Sequence, residues 1–317
     1  MDRSRALTAA VVDFVSAHLH GDRRVCVALS GGPDSLALTA AAVHAGCEVL
    51  ALVVDHGLQP GSADVAEGAA VAARGLGAQA RVLPVTVGSD GGLEAAARSA
   101  RYAALDTARQ GRPVLLGHTL DDQAETVLLG LGRGSGPAAL SGMRRWRAPW
   151  GRPLLDLRRA DTVAACAEWG LAPVDDPHNA DPRFTRVRVR TEVLPLMEDV
   201  LGGGVAAALA RTADLLADDD AFLGEMADEL AAAVTDGDDL LVAPLAEAPI
   251  ALRSRVLRDW LRAGGAREPT SRIIEAVEDL VTGWRGQGPV AVGGDRERRL
   301  EVVRDGDLLV WRTSARD

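Results

Sequence analysis

Over residues 23–120, short aliphatic and β-branched runs alternate with alanine-rich helical stretches. Arg24–Leu29 is short and almost wholly apolar, the pattern of a strand buried on both faces. A helix is predicted over Ser35–Ala45, a second strand over Glu48–Val54, and a helix over Ala63–Leu76. A third strand (Gln79–Val87), a helix (Gly92–Arg109) and a fourth strand (Pro113–Gly117) follow. Strand and helix alternating at this spacing predict βαβ units, hence an α/β domain with a parallel sheet and helices on both faces. Ligands of such sheets bind at the carboxyl ends of the strands. Chemistry is therefore expected after Leu29, Val54, Val87 and Gly117.

Residues 130–160 are rich in Gly, Pro and Arg and predict a mobile loop. A helix around Ala160–Gly170 and a Pro/Asp-rich stretch, Pro173 to Pro182, come next. Helical patterns resume near Val187 and, after the Gly202–Gly204 break, run along Ala206–Val234, Pro249–Ala263 and Ser271–Thr282. Pro289–Val292, Arg298–Val303 and Leu308–Arg312 predict a small antiparallel set with an Asp305-Gly306 turn. The expected organisation is an α/β domain over 1–200 and a smaller, mainly helical domain with a short β tail over 201–317.

Composition narrows the class. A chain of 317 residues, 47% hydrophobic and 25% charged, is globular and long enough for two domains. No apolar run reaches the ~18 residues of a membrane span, and Met1 to Gly21 lacks the apolar core of a signal peptide. Cys26, Cys47 and Cys166 are scattered without CxxC spacing, which excludes a disulfide framework and a zinc site and fits a reducing compartment. A soluble cytoplasmic protein without a membrane partner is expected. All 35 basic residues are Arg, so no Walker lysine, Schiff-base lysine or lysyl-adenylate is available. The net charge of −10 lies in residues 201–250, where one Arg faces eleven acids. Arg133 to Arg159 instead holds seven Arg against the single acid Asp156, so the acidic balance does not exclude a nucleic-acid partner.

Ser30-Gly31-Gly32-Pro33-Asp34-Ser35 stands between the first strand and a helix. A glycine-rich turn there aims several backbone N–H groups at one point, which suits phosphate or pyrophosphate. Asp34 would repel a phosphate unless Mg²⁺ lay between them. The second block, Gly117-His118-Thr119-Leu120-Asp121-Asp122-Gln123-Ala124-Glu125-Thr126, follows the fourth strand and opens on the same sheet edge. If Asp122 begins a helix, Glu125 shares its face. Three acids beside a phosphate site call for cations, Mg²⁺ and a cationic substrate.

The hexapeptide resembles the PP-loop of the N-type ATP pyrophosphatases, which cleave ATP between the α and β phosphates. The second block resembles the GHHxDDQAET signature of the tRNA(Ile)-lysidine synthases. Val54–Leu58, Ala97–Tyr102, Arg133–Gly136 with Leu140–Met143, and Asp176–Asn179 followed by Arg186 and Arg190 resemble further segments of that family in the same order. Two departures are Thr119, in place of the second His, and Val187, in place of the Asn after Arg186.

The resemblance implies a Rossmann-like PP-loop domain that uses ATP and Mg²⁺ to join L-lysine to C2 of the wobble cytidine in an isoleucine tRNA with a CAU anticodon. It implies ATP contacts from Ser30, Gly31, Gly32, Pro33, Asp34, Ser35, His56 and Gly117, metal contacts from Asp34 and Asp121, and Arg98 at the α-phosphate. Asp122 and Glu125 would hold the lysine ammonium, with a carboxylate or His118 as general base. Arg133, Arg144, Arg145, Arg186 and Arg190 would contact tRNA, as would Arg147, Arg152, Arg158 and Arg159, with Tyr102, Trp146 and Trp150 as stacking platforms. A homodimer is compatible with the pattern. The competing readings are a PP-loop tRNA thiolase, which needs cysteine pairs, and a non-catalytic adenine-nucleotide sensor, which has no use for the acid block.

Overall fold

The computed structural model describes residues 2–58, 61–88, 92–134, 136–174, 181–266, 269–294 and 298–315. Helix α1 (Arg3–His18) is capped by the Asp2 carboxylate, which accepts from the Arg5 N–H. Then follow β1 (Arg24–Ala28), α2 (Pro33–His44), β2 (Glu48–Asp55), α3 (Ser62–Gly75), β3 (Gln79–Pro84), α4 (Leu93–Ala108) and β4 (Val114–Leu116). The four strands are parallel, in the order β3-β2-β1-β4. The chain steps outward from β1 to β3 and returns on the other side of β1. The crevice between β1 and β4 is thus a topological switch point, where the loops after these two strands open side by side.

Strand burial has period two. Val25, Val27, Val49, Ala51 and Val53 join one core with residues of α1, α2 and α3, while Cys26, Leu50 and Leu52 join Leu105 of α4 in the other. Each buried Val or Leu contributes roughly 1.5–3 kcal/mol. Because both faces are covered, the strands read as unbroken apolar runs rather than as alternation.

After α5 (Leu120–Gly132) and α6 (Pro137–Leu140), the structure corrects the expected mobile loop at 130–160. Strands β5 (Trp146–Arg147) and β6 (Trp150–Gly151) form an antiparallel hairpin, and β6 pairs in parallel with β4, completing a six-stranded sheet. Two-residue strands are too short for periodicity to reveal. Their anchors are aromatic: Trp146 meets the Phe14 ring edge-on at 5.9 Å, and Trp150 meets Tyr102 at 4.7 Å. Helix α7 (Arg159–Glu168) packs beside α1 and α2 through Ala165 and Cys166. Then come α8 (Thr185–Arg188), a π-helical turn (Val189–Val193), α9 (Leu194–Val200) and the long α10 (Val205–Val234).

The chain divides into compact units 1–217 and 218–317. The division falls inside α10, beyond the glycine break at 202–204, because Val205 and Ala206 are buried against Leu120, Ala124 and Leu194 of the first unit. The second unit adds β7 (Thr235–Asp236), β8 (Asp239–Leu241), α11 (Val242–Glu247), α12 (Ile250–Ala263), α13 (Ser271–Thr282), β9 (Val290–Gly294), β10 (Arg298–Asp305) and β11 (Leu308–Ala315). Its antiparallel sheet has the order β7-β8-β11-β10-β9, so the three tail strands gain two short ones from residues 235–241. Leu240, Leu257, Leu261, Val277, Leu280 and Val302 form its core. Among the described residues no single helix is long and apolar enough to cross a membrane.

Candidate active site

Gly31 has φ +88°, the left-handed conformation that favours glycine, and its carbonyl accepts from the Val174 N–H at 2.9 Å. Pro33 opens α2, where its fixed φ suits the first helical turn. The Ser35 Oγ accepts from the Ser30 N–H at 3.1 Å, lies 3.0 Å from the Ser30 Oγ and donates to the Gly32 carbonyl at 3.1 Å. The loop is thereby folded onto the amino end of α2, where unpaired helix N–H groups favour an anion.

Gly117 brings the second motif against the first. A Cβ there would stand 2.9 Å from the Asp34 carbonyl carbon and oxygen and 3.0 Å from the Ser35 Cα. Gly117→Ala should therefore displace the loop, and a shift near 1 Å lowers turnover on the order of a hundredfold. Pyrophosphate release should fall by that factor while the circular dichroism spectrum stays that of the wild type. Retained turnover would show that the loop tolerates the extra carbon.

At the start of α5, the Thr119 N–H and Oγ1 both donate to the Asp122 Oδ2 at 2.8 Å. Asp122 and Glu125 share one helix face and are 7% and 0% exposed. Two buried carboxylates require paired charges, since each unpaired ion costs several kcal/mol. Arg159 Nη2 lies 2.7 Å from Asp122 Oδ1, Nη1 lies 3.3 Å from Glu125 Oε1, and Nε lies 3.2 Å from Asp34 Oδ2. Arg190 grips Glu125 with Nε at 2.7 Å and Nη2 at 3.0 Å, and its Nη2 also reaches Asp122 at 3.4 Å. The Thr162 hydroxyl donates to the second oxygen of Asp34. Burial raises the Asp34 carboxyl above the usual range, against the pull of Thr162 and Arg159. Burial also works to raise Asp122, but Arg159, the Thr119 donors and His118 together hold it below that range.

His118 sits at the end of β4. Burial pushes its imidazole down to about 4, Asp122 opposing and Arg152 assisting, so it is neutral at pH 7. The Arg152 Nε donates to its Nδ1 at 3.2 Å, which leaves the proton on Nε2. Arg98 is exposed, with its guanidinium 4.9 Å from the Tyr102 ring centre and 3.3 Å from the Tyr102 hydroxyl. At the end of β2, both ring nitrogens of His56 are buried, and among the described residues neither meets a hydrogen-bond partner.

Several of the expected site residues meet partners within the protein. Asp121 faces Arg158, which donates to it at 2.8–3.2 Å, and accepts from the Arg159 N–H at 2.7 Å, so its carboxylate is committed to the start of α7. Arg190 turns inward to the acids, and Arg186 reaches Thr126 at 3.0 Å and Glu125 at 3.9 Å. Arg152 is buried, and besides His118 it bonds the Arg144 carbonyl at 2.9 Å. Trp146 packs against Phe14 and His18 and offers no open platform. Arg133 and Arg144 are exposed, while Arg145 pairs with Asp156 at 2.6 Å. Ser135 and the Asp176–Asn179 segment lie outside the described residues. Arg152 and Arg159, expected at tRNA phosphates, stand here beside His118 and the acids, and Thr162 joins them without any local sequence signal.

Residues 4–197 match the PP-loop domain, and residues 240–309 match the TilS substrate binding domain. A tRNA(Ile)-lysidine synthase of Nocardia farcinica is 61% identical over 313 residues, covering 98% of each chain. The chain belongs to the tRNA(Ile)-lysidine synthases. Another member, from Rhodococcus jostii, is 61% identical over 93% of this chain and 91% of its own. A solved U34-tRNA thiolase from Methanococcus maripaludis, carrying a [4Fe-4S] cluster, has a TM-score of 0.55 at 15% identity, covering 67% of this chain and 79% of that one, a likeness of fold. Within the lysidine synthase family, Thr119 stands where the signature has a second His and serves here to cap α5 and hold Asp122. Val187, in place of Asn, is buried in α8.

Proposed function

We propose that this chain joins L-lysine to C2 of the wobble cytidine in the CAU anticodon of an isoleucine tRNA, in two steps on one site. The observation that carries this reading is the buried Asp122–Glu125 pair, which lies one guanidinium away from Asp34 of the phosphate loop. A cation site beside an anion cradle suits an amino acid with a charged side chain and a nucleotide. In the first step O2 of the cytidine bonds to the α-phosphorus as the α–β bond breaks and pyrophosphate leaves. In the second, the ε-amine bonds to C2 and AMP leaves with O2.

Catalysis of such a transfer rests on positioning and charge neutralisation. Ser30–Ser35 hold the pyrophosphate, Gly117 keeps the crevice narrow, and Arg98 meets the α-phosphate. The unpaired imidazole of His56 borders the nucleotide. Asp34 suits Mg²⁺, being an oxygen donor beside the phosphate cradle that already balances a cationic group, Arg159. When bound, that ion neutralises the leaving pyrophosphate. His118 presents Nε2–H as a donor toward the cytidine. With its conjugate acid at about 4 it is a poor proton acceptor, and its part is that of a donor.

The exposed arginines Arg133, Arg144 and Arg147, with Arg145, supply tRNA phosphate contacts, and residues 201–317 supply a second tRNA-interacting part. Affinity for tRNA should fall steeply with salt, and the log–log slope should lessen by roughly 0.7–0.9 for each arginine–phosphate pair removed. Arg144→Glu with Arg147→Glu should flatten that slope and weaken all tRNAs alike. A salt-independent affinity would rule out this surface as the tRNA contact. The reading itself is tested by pyrophosphate release from ATP with and without tRNA, together with incorporation of labelled lysine. Release and incorporation should both require tRNA. A nucleotide sensor would bind ATP without tRNA-dependent release, and a thiolase would incorporate no lysine.

A further inference from the structure

We infer that Arg159 is a further catalytic residue, an exchangeable cation that holds the acids before substrate arrives and is displaced from them by lysine onto the phosphate side. The inference rests on the reading that Asp122 and Glu125 take the ammonium. All four oxygens of these two carboxylates are occupied: Asp122 Oδ2 by Thr119, Asp122 Oδ1 by Arg159 and Arg190, Glu125 Oε1 by both arginines and Glu125 Oε2 by Arg190. An ammonium brings three donors and no acceptor. It enters only where a guanidinium withdraws.

Arg159 is the one that frees what the reaction needs. Its three nitrogens rest on three different carboxylates, one of them Asp34, whereas among the described residues Arg190 bonds Asp122 and Glu125. At Glu125 its contact is 3.3 Å against 2.7 Å for Arg190, while at Asp122 the order is reversed, 2.7 Å against 3.4 Å, so withdrawal of Arg159 opens Asp122 and leaves Glu125 held by Arg190. Its backbone is pinned, since its N–H donates to Asp121 at 2.7 Å as α7 begins. The side chain is 22% exposed and its stem is flexible, so side-chain rotation alone moves the guanidinium. With Nε beside Asp34, the released guanidinium already stands at the phosphate loop, where planar, bidentate contact with phosphate oxygens is its favoured mode.

The test is calorimetric binding of L-lysine, without ATP or Mg²⁺, to the wild type and to Arg159→Gln. The variant should bind lysine about tenfold more tightly, because the competing cation is gone, while its pyrophosphate release falls about a hundredfold. Lysine binding unchanged or weaker in a variant with wild-type melting behaviour overturns the exchange. If Arg159→Gln does not fold, Arg159→Ala with added guanidine serves instead. Guanidine at millimolar concentration should restore pyrophosphate release and weaken lysine binding together, and failure to do either overturns the proposal. Glu125→Gln separates this outcome from failure of the underlying reading. If it leaves lysine binding untouched, the acids do not hold the amino acid. If it weakens binding while Arg159→Gln fails to tighten it, the site stands and the exchange is wrong.

Discussion

Asp34→Asn should abolish pyrophosphate release, a loss on the order of a thousandfold or more, while leaving the fold intact. The amide keeps an oxygen for the Thr162 hydroxyl and the shape of the loop, but it brings no charge to balance Mg²⁺ beside a polyphosphate. Burial already disfavours the charged carboxyl, so removing the charge relieves a desolvation cost that offsets part of the lost contact to the Arg159 Nε. Turnover and the thermal midpoint, measured on one preparation, check both halves. Full turnover of the variant at low Mg²⁺ would contradict the metal role.

The sheet was legible because its strands are buried on both faces. Val25, Cys26 and Val27 leave no polar position to interrupt the run, and the same holds over Val49–Val53. The hairpin over 146–151 was hidden by its length and by its glycine and proline content, although Trp146 and Trp150 anchor it. Ser30–Ser35 and Gly117–Glu125 were legible as a site because each follows a strand, and the switch point between β1 and β4 sets them face to face. Which arginines complete them was not legible. Arg159 and Arg190 lie 34 and 65 residues beyond Glu125, and only the packing of α7 beside α2 and the π-helical turn after α8 brings them back. A run of arginines looks the same whether it meets tRNA or buried acids. Arg144 and Arg190 differ in which side chains lie opposite, and that is a property of the fold.

Glu125→Gln should separate the two half-reactions. A neutral amide loses the charge-assisted contact to the ammonium, worth roughly 1.5–3 kcal/mol, so the lysine KM should rise ten- to a hundredfold at about 1.4 kcal/mol per decade. The ATP KM should stay nearly constant, because the phosphate charge is met by Arg98 and by Mg²⁺ at Asp34 rather than by Glu125. Adenylated tRNA should accumulate in a single turnover. The side-chain oxygen of the amide still accepts from the Arg190 Nε, which keeps the buried pair partly satisfied. Glu125→Asp, which keeps the charge but shortens its reach, should fall between the two. Loss of adenylation with unchanged lysine affinity would assign this face to the nucleotide instead.

If one crevice carries both the transfer from ATP and the capture of lysine, the nucleoside at the wobble position reports it most directly. An isoleucine tRNA transcript with a CAU anticodon is incubated with the protein, ATP, Mg²⁺ and isotopically labelled lysine, then digested to nucleosides and weighed by mass spectrometry. The wobble cytidine should be lost and one nucleoside carrying the lysine label gained, with one AMP and one pyrophosphate formed for each. An unchanged cytidine, or a modified nucleoside without the label, would contradict a single crevice with both roles.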